Sequence, residues 1–258
     1  MATTLKFGSG LWATKEDSVL AYNDENGNYK PLPFEFERDT NATVVNKSGL
    51  IETVGNNIPR IDFQGNNKGA LLLEPERTNL VTYSEDFSNS DWTKVNVTIT
   101  SNNSTSPDGS LNADLIVSNN ADSYLSNSLV VSDPSVFSVF VKYVDQQFIQ
   151  LYSGLSANYY ANFDIKNNIL GTKGAFTSEA KIENYGNGWY RLSAVFSQVT
   201  PTGGSSVRLG FAKTIDSVWG SLNTSSGSSV LLWGCQLEEA SYPTSYIPTQ
   251  GGTVTRAA

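Results

Sequence analysis

The sequence predicts an all-β protein: an antiparallel jelly-roll β-sandwich preceded by an extended β-hairpin N-terminal arm. Three observations predict it. Apolar and polar residues alternate strictly in short runs such as "WTKVNVTIT", where Val95, Val97 and Ile99 share one face. Such runs recur to the end of the chain, separated by clusters of Gly, Pro, Asn, Asp and Ser. No segment carries a sustained helical period.

The elements follow in order. Residues 1–57 read as short strands and turns. Apolar pieces lie near Leu11–Ala13 and Ser18–Tyr22, and a polar turn follows at Asn23–Asn28. "ATVVNKSGLIETV" is a hairpin signal, with Val44 and Val45, a turn at Asn46–Gly49, then Leu50–Val54. Hairpins alone are marginal in water, so the arm is expected to attach or oligomerise. Residues 58–94 form an irregular neck, in which Arg60 and Arg77 are expected to pin the chain by bonding carboxylates or carbonyls. Residues 95–258 form the jelly roll, with strands in "ADLIVS", "SYLSNSLVVS", "VFSVFVKYV", "FIQLYSG", "NYYANFDI", "WYRLSAVFS", "VRLGFAKT" and "VLLWGCQLE".

Composition narrows the function classes. The 258 residues are 39% hydrophobic and 11% aromatic, which suffices for a core, while only 16% are charged. Net charge is −8 and the 17 Lys and Arg are scattered, so nucleic acid is not an expected partner. No apolar run nears the roughly 18 residues of a membrane span, and no membrane insertion is expected. The N-terminus lacks an apolar signal-peptide core, so synthesis in the cytoplasm is expected, with any exit inside an assembly. Histidine is absent, which removes Ser–His–Asp and Cys–His catalysis. Cys235, the single cysteine, sits in an apolar strand and reads as core.

Four segments occur in one order: "NKSGLIETVGNNIPRIDF", "LLLEPERTNLVTYSEDFSNSDWTK", "GNGWYRLSAVF" and "LLWGCQLEEASYPTSYIPTQGGTVTRAA". Together they resemble bacteriophage virion proteins that carry a carbohydrate-binding-module-like jelly roll, described as head spikes or head fibres. The resemblance implies a non-enzymatic structural component on the virion surface. By analogy with other phage spikes it also implies a homotrimer, docked on the capsid or other virion proteins through the arm, with cell-surface glycans as a further partner. A free lectin-like carbohydrate-binding module and a polysaccharide-active enzyme are the competing classes.

Candidate site residues come from period two. Ile149 and Leu151 share one face; Phe148, Gln150 and Tyr152 share the other. Tyr159, Ala161, Phe163 and Ile165 read as core, with Asn158, Tyr160, Asn162 and Asp164 outward. Gln150, Tyr152, Asn158, Tyr160 and Asn162 would then form one polar, aromatic surface if the strands are neighbours, since a flat ring stacks on a sugar and amides bond its hydroxyls. Tyr residues also cover sheets and interfaces. Trp219, in a Gly- and Ser-rich loop, is the other candidate, whereas Trp92, Trp189 and Trp233 read as packing residues. Glu238 and Glu239 point to opposite faces of a strand and make a poor catalytic pair, since hydrolysis of a glycoside takes carboxylates about 5–10 Å apart across a cleft. One of them is expected to bond the turn at Thr244–Tyr246. No catalytic residue and no cofactor is assigned. A structural Ca²⁺ near Asp108 or Asp122 is conceivable by analogy with other jelly rolls, but no EF-hand spacing is present.

Overall fold

Alternation this regular pairs strands into sheets with one face for the core, and a computed structural model of the chain has that organisation. It describes the backbone of residues 12–15, 18–23, 28–31, 36–130, 132–198, 206–222 and 226–258, and side chains within these ranges from residue 36 onward. Among the apolar arm residues, Leu11, Leu32 and Phe34 lie outside the described residues.

The chain forms two compact units. The first comprises Met1–Arg77, Ser245–Ile247 and Thr255–Ala258; the second comprises Thr78–Thr244 and Pro248–Val254. The expected boundary at residue 57 is therefore not where the units divide. The stretch 58–94 splits after Arg77, and two C-terminal pieces belong with the first unit.

In the first unit, β1 (Trp12–Lys15), β2 (Ser18–Asn23) and β3 (Asn28–Pro31) form an antiparallel meander. β4 (Ala42–Val45) and β5 (Ile51–Val54) form the expected hairpin. Asn46 Oδ1 accepts the Ser48 and Leu50 amides across its turn, and Gly49 takes the φ of +80° that the turn requires. β6 (Ile61–Asp62) and β7 (Ala70–Leu71) pair antiparallel. These strands are too short for a broad core, and arginines tie the irregular backbone instead. Arg38 donates to the carbonyls of Thr40, Val54, Gly55 and Ile58 at 2.5–3.2 Å. Arg60 pairs with Glu74 at 2.7 Å and bonds Ser245 Oγ. Arg77 donates to the carbonyl of Glu76. The expected structural role of Arg60 is met, while the Arg77 bond runs to the carbonyl next to it in the chain.

β8 (Arg77–Asn79) is followed by the strands of the second unit. These are β9 (Trp92–Val95), β10 (Val97–Thr105), β11 (Leu111–Ser118), β12 (Tyr124–Asn127), β13 (Ser135–Tyr143), β14 (Phe148–Ser153), β15 (Tyr160–Asp164), β16 (Ile169–Lys173), β17 (Thr177–Asn184), β18 (Trp189–Phe196), β19 (Val207–Phe211) and β20 (Ser229–Glu238); β21 (Val254–Arg256) closes the chain order. One six-stranded sheet runs β10-β11-β20-β13-β18-β17 and the other β16-β15-β14-β19-β12-β9, with every neighbour antiparallel. They pack face to face as a jelly-roll-like sandwich, and no helix occurs among the described residues.

The faces fall where alternation places them. Ile149 and Leu151 of β14, and Tyr159, Ala161, Phe163 and Ile165 in and around β15, are buried in one apolar cluster with Val139 and Val141 of β13. Trp92, Trp189 and Trp233 are buried as expected. In β20 the core positions change parity, from Val230 and Leu232 to Cys235 and Leu237. A β-bulge causes the change: Phe140 opposes Trp233 and Ser138 opposes Gln236, so two residues face Val139. Gly234 supplies the φ of +60° there. Burial pushes the Cys235 thiol pKa up, consistent with a core residue.

The neck's irregularity also has a local cause. The Asn79 amide donates to the Cys235 carbonyl and accepts the amides of Val81 and Leu237, bonding β20 just past the bulge. Asp86 then accepts the amides of Ser88 and Asn89, folding the acidic Ser/Asn patch into a turn that delivers Trp92. The indole of Trp92 donates to the Tyr83 carbonyl and packs on Phe87 at 5.1 Å.

Candidate functional site

The outer face of the second sheet is built from β14, β15, β19 and β12. Period two turns Gln150, Tyr152, Asn162, Arg208 and Tyr124 away from the core, and strand pairing makes them neighbours: Gln150 opposes Asn162, Tyr152 opposes Tyr160 and Arg208, and Tyr124 opposes Gly210. The strands are thus adjacent, as the candidate surface required.

Much of that surface, however, is not open. The segment Ala212–Leu222 folds over it and buries Gln150 and Asn162 completely and Tyr152 almost so. The sheet is cut back to receive the segment. A Cβ at Gly171 would lie 2.3 Å from the Ile215 carbonyl oxygen, and one at Gly210 would lie 2.5 Å from the Leu222 side chain. The expectation of an outward, ligand-facing Gln150, Tyr152 and Asn162 is corrected accordingly. Facing away from the core is a property of a strand, whereas exposure depends on what lies above it.

The buried amides hold the covering segment. Gln150 Nε2 donates to the Val218 carbonyl at 3.1 Å and its Oε1 accepts the Gly220 amide at 2.8 Å, clasping the backbone on either side of Trp219. Gln150 also donates to Asn162 Oδ1 at 2.8 Å, and Asn162 Nδ2 donates to the Ser217 carbonyl at 2.6 Å and to Thr172 Oγ1. Each amide bonds several groups, so none of this polarity is buried without compensation.

Trp219 is thereby fixed and half-buried. Its Nε1 donates to the Ser153 carbonyl at 2.9 Å, and its ring meets Tyr152 edge-on at 5.8 Å. Tyr152 in turn meets Tyr124 edge-on at 6.3 Å. The Arg208 guanidinium lies over both tyrosines, at 5.4 Å from Tyr124 and 5.7 Å from Tyr152, and Ser206 Oγ accepts from its Nε. Burial pushes the Tyr152 phenol up; Arg208 opposes this, while Tyr124 and Asp122 add to it. The result is a neutral, rigid aromatic cluster with one cation, half-exposed at Trp219, Tyr124 and Arg208 and with the exposed Asp122 beside it.

Of the expected residues, Trp219 and Tyr152 belong to this cluster, Tyr160 is half-buried on the neighbouring strand, and Asn158 is exposed just before it. Tyr124 and Arg208 were not expected. The signal for them was available, since alternation in "SYLS" and "VRLGF" puts them opposite the core residues Leu125, Val207 and Leu209. What was missing was the pairing of β12 with β19.

The carboxylate pair behaves as alternation requires. Glu238 is buried and accepts the Thr244 amide at 3.0 Å and its hydroxyl at 2.5 Å; Glu239 is exposed. Among the described residues no three His, Cys, Asp or Glu side chains form a group that could hold a metal ion, and no helix is long and apolar enough to cross a membrane.

No protein-family model and no curated protein sequence matches the chain. Among solved structures it is similar to the enzymatically active domain of tailspike protein 4 of bacteriophage CBA120, at 11% identity and a TM-score of 0.38, over 62% of this chain and 21% of that one. It is also similar to the CBM22-1–GH10 modules of the N-terminal endo-1,4-β-D-xylanase 10B of Clostridium thermocellum in complex with xylohexaose, at 12% identity and a TM-score of 0.38, over 66% of this chain and 30% of that one. The chain spans less than a third of either structure.

Proposed function

We propose that the protein is a non-enzymatic virion surface protein, a capsid-displayed spike, head fibre or decoration protein, whose sandwich binds glycans through the Trp219 cluster. The observation that carries the binding role is the clasped, half-exposed Trp219, flanked by Tyr124, Arg208 and Asp122 on a rigid sheet. A fixed ring offers a stacking surface without the entropy cost of ordering a mobile side chain. The guanidinium donates to sugar hydroxyls and the carboxylate accepts from them. A stacked ring contributes on the order of 1 kcal/mol beyond plain burial.

The virion assignment draws on the ordered resemblance to head spikes and head fibres. In that reading the first unit carries the attachment and self-association role, and the assembly is a homotrimer. Two experiments test the proposal. On a glycan array, wild-type protein should bind and Trp219→Ala should bind several-fold more weakly with an unchanged circular dichroism spectrum; a blank array for the wild type overturns the binding role. Gold-labelled antibody should decorate intact particles in electron micrographs of the native source, and particles left bare by an antibody that detects the purified protein overturn the virion role.

A further inference from the structure

A second concavity lies in the same unit, among residues the Trp219 cluster does not use. It is an open cleft of about 420 Å³, lined by Tyr83, Glu85, Asp86, Asn102, Asn112 and Gln250 among others. Two segments that are irregular in sequence meet there, "TYSEDFS" and "PTQG", joined by a bridge between Tyr83 and Gln250. We infer that this cleft is a second ligand site, for a small neutral saccharide of one or two sugar units.

The chemistry of its walls selects that ligand. Among the described residues no protein group bonds the Tyr83 hydroxyl or the side-chain amides of Asn102 and Gln250, and Asn112 Oδ1 is buried without a hydrogen-bond partner. Asn112 cannot turn to satisfy that oxygen at no cost, because its Nδ2 donates to Glu85 at 3.1 Å. The unmet groups open to the cleft are thus a hydroxyl and two amides, which together suit hydroxyls that both donate and accept, while Asn112 is fixed in the wall. Tyr83 and Pro248 add an apolar wall.

The carboxylates contribute rigidity and sign. Asp114 is buried, with one oxygen accepting the Asn102 amide and the other the Phe87 amide, both at 3.0 Å, so it fixes two walls of the cleft. Asp86 Oδ1 is taken up by Ser88 and Asn89. These oxygens are committed to the fold and are not arranged around a common point for a cation. No Lys or Arg lines the cleft, so the negative charge of Glu85, Asp86 and Asp114 turns acidic sugars away. The volume lies within the few hundred cubic ångströms typical of small-molecule sites.

This inference rests on the glycan-binding reading for its ligand class alone, and the test separates the two sites. Saturation-transfer-difference NMR is run with glucose, galactose, N-acetylglucosamine, cellobiose, lactose and maltose, with glucuronic acid as the charged counterpart. The proteins are the wild type, Trp219→Ala and the double variant Asn102→Gly/Gln250→Ala. Both cleft positions are exposed, and glycine suits the φ of 54° at Asn102. At least one neutral sugar should show transfer that persists in Trp219→Ala and falls about tenfold in the double variant, as the loss of two hydrogen bonds implies, while glucuronic acid shows none. Amide shift mapping of the wild type should move Asn102, Asn112 and Gln250 with the same sugar, which reads the site without any variant. Transfer lost only in Trp219→Ala leaves the first site standing and overturns the cleft. Absence of transfer from all six neutral sugars, or a double variant that binds like the wild type, overturns it too.

Discussion

The two units solve the burial problem in opposite ways. The sandwich has twelve strands, two of them nine residues long and one of ten, and its interior is a large apolar cluster running from Val81 to Leu237. Among the described residues the first unit has strands of two to six residues, and its most deeply buried large side chains are Arg38, Arg60 and Arg256. Short strands leave many backbone carbonyls outside any ladder, and a guanidinium satisfies several of them at once. Broad sheets satisfy their own backbone and can bury side chains that carry no polar groups. Apolar burial follows sheet width, while in the first unit buried guanidinium groups complete a backbone that the narrow sheets leave unpaired. That arrangement has an electrostatic consequence. Burial, then the charges of Arg60 and Arg256, lower the Arg38 pKa to about 10, while Glu74 pairs with Arg60 and Arg256 themselves.

The largest effect should come from the apolar side. Phe163→Ala removes a fully buried ring and should cost about 3–5 kcal/mol, read as faster amide exchange at Val139 and Val141 with little change at Val44 and Val45. Acceleration of both sets together would show that the units open as one and would break the comparison.

Glu74→Gln should show the reverse pattern. It keeps the shape but takes the Glu74 carboxylate away from Arg60 and Arg256, at a cost of about 3 kcal/mol, and exchange should rise at Val44 and Val45. Glu74 also sets the acid limit of this unit. Burial raises its pKa, but hydrogen bonds from Ser245 and Arg60 outweigh that and hold it below the usual value of 4.5. A depressed carboxylate gives its full stability above the unfolded pKa and loses it as pH falls through the native one. Denaturant midpoints read at the first unit should therefore drop below about pH 4.5 in the wild type and lose much of that drop in Glu74→Gln.

Within the sandwich, Gln150→Ala probes one of the buried polar side chains. It leaves the Gly220 amide unpaired under the covering segment, while the Val218 carbonyl keeps the Ser221 amide, and should cost about 1–3 kcal/mol, read by chemical denaturation, with faster exchange at Gly220. Glycan binding should weaken as well, because Trp219 loses its clasp. The smallest effect on stability should be that of Trp219→Ala, about 1 kcal/mol or less for a half-buried ring whose loop stays clasped. A loss as large as that of Phe163→Ala would make Trp219 a packing residue and remove the platform on which the proposed function stands.

Much of this was legible in the sequence because alternation along a strand is a local property. It separated Ile149 and Leu151 from Gln150 and Tyr152, put Tyr159, Ala161, Phe163 and Ile165 in the core, placed the hairpin at Ala42–Val54 and set Glu238 against Glu239. The single Gly234 bulge hid the change of core parity in β20, because a one-residue insertion shows only against the partner strand. The boundary after Arg77 was equally hidden, since Ser245–Ile247 and Thr255–Ala258 join the first unit from the far end of the chain. By itself, then, the sequence determined the fold class and which face of β14 and β15 meets the core, as period two and turn chemistry act between residues a few positions apart. Only the tertiary structure decided that Ala212–Leu222 lies over Gln150 and Asn162, that Tyr124 and Arg208 join Trp219, and that Tyr83 and Gln250 share a cleft. Those outcomes depend on strand order and on a loop's path across the sheet, which no local period encodes.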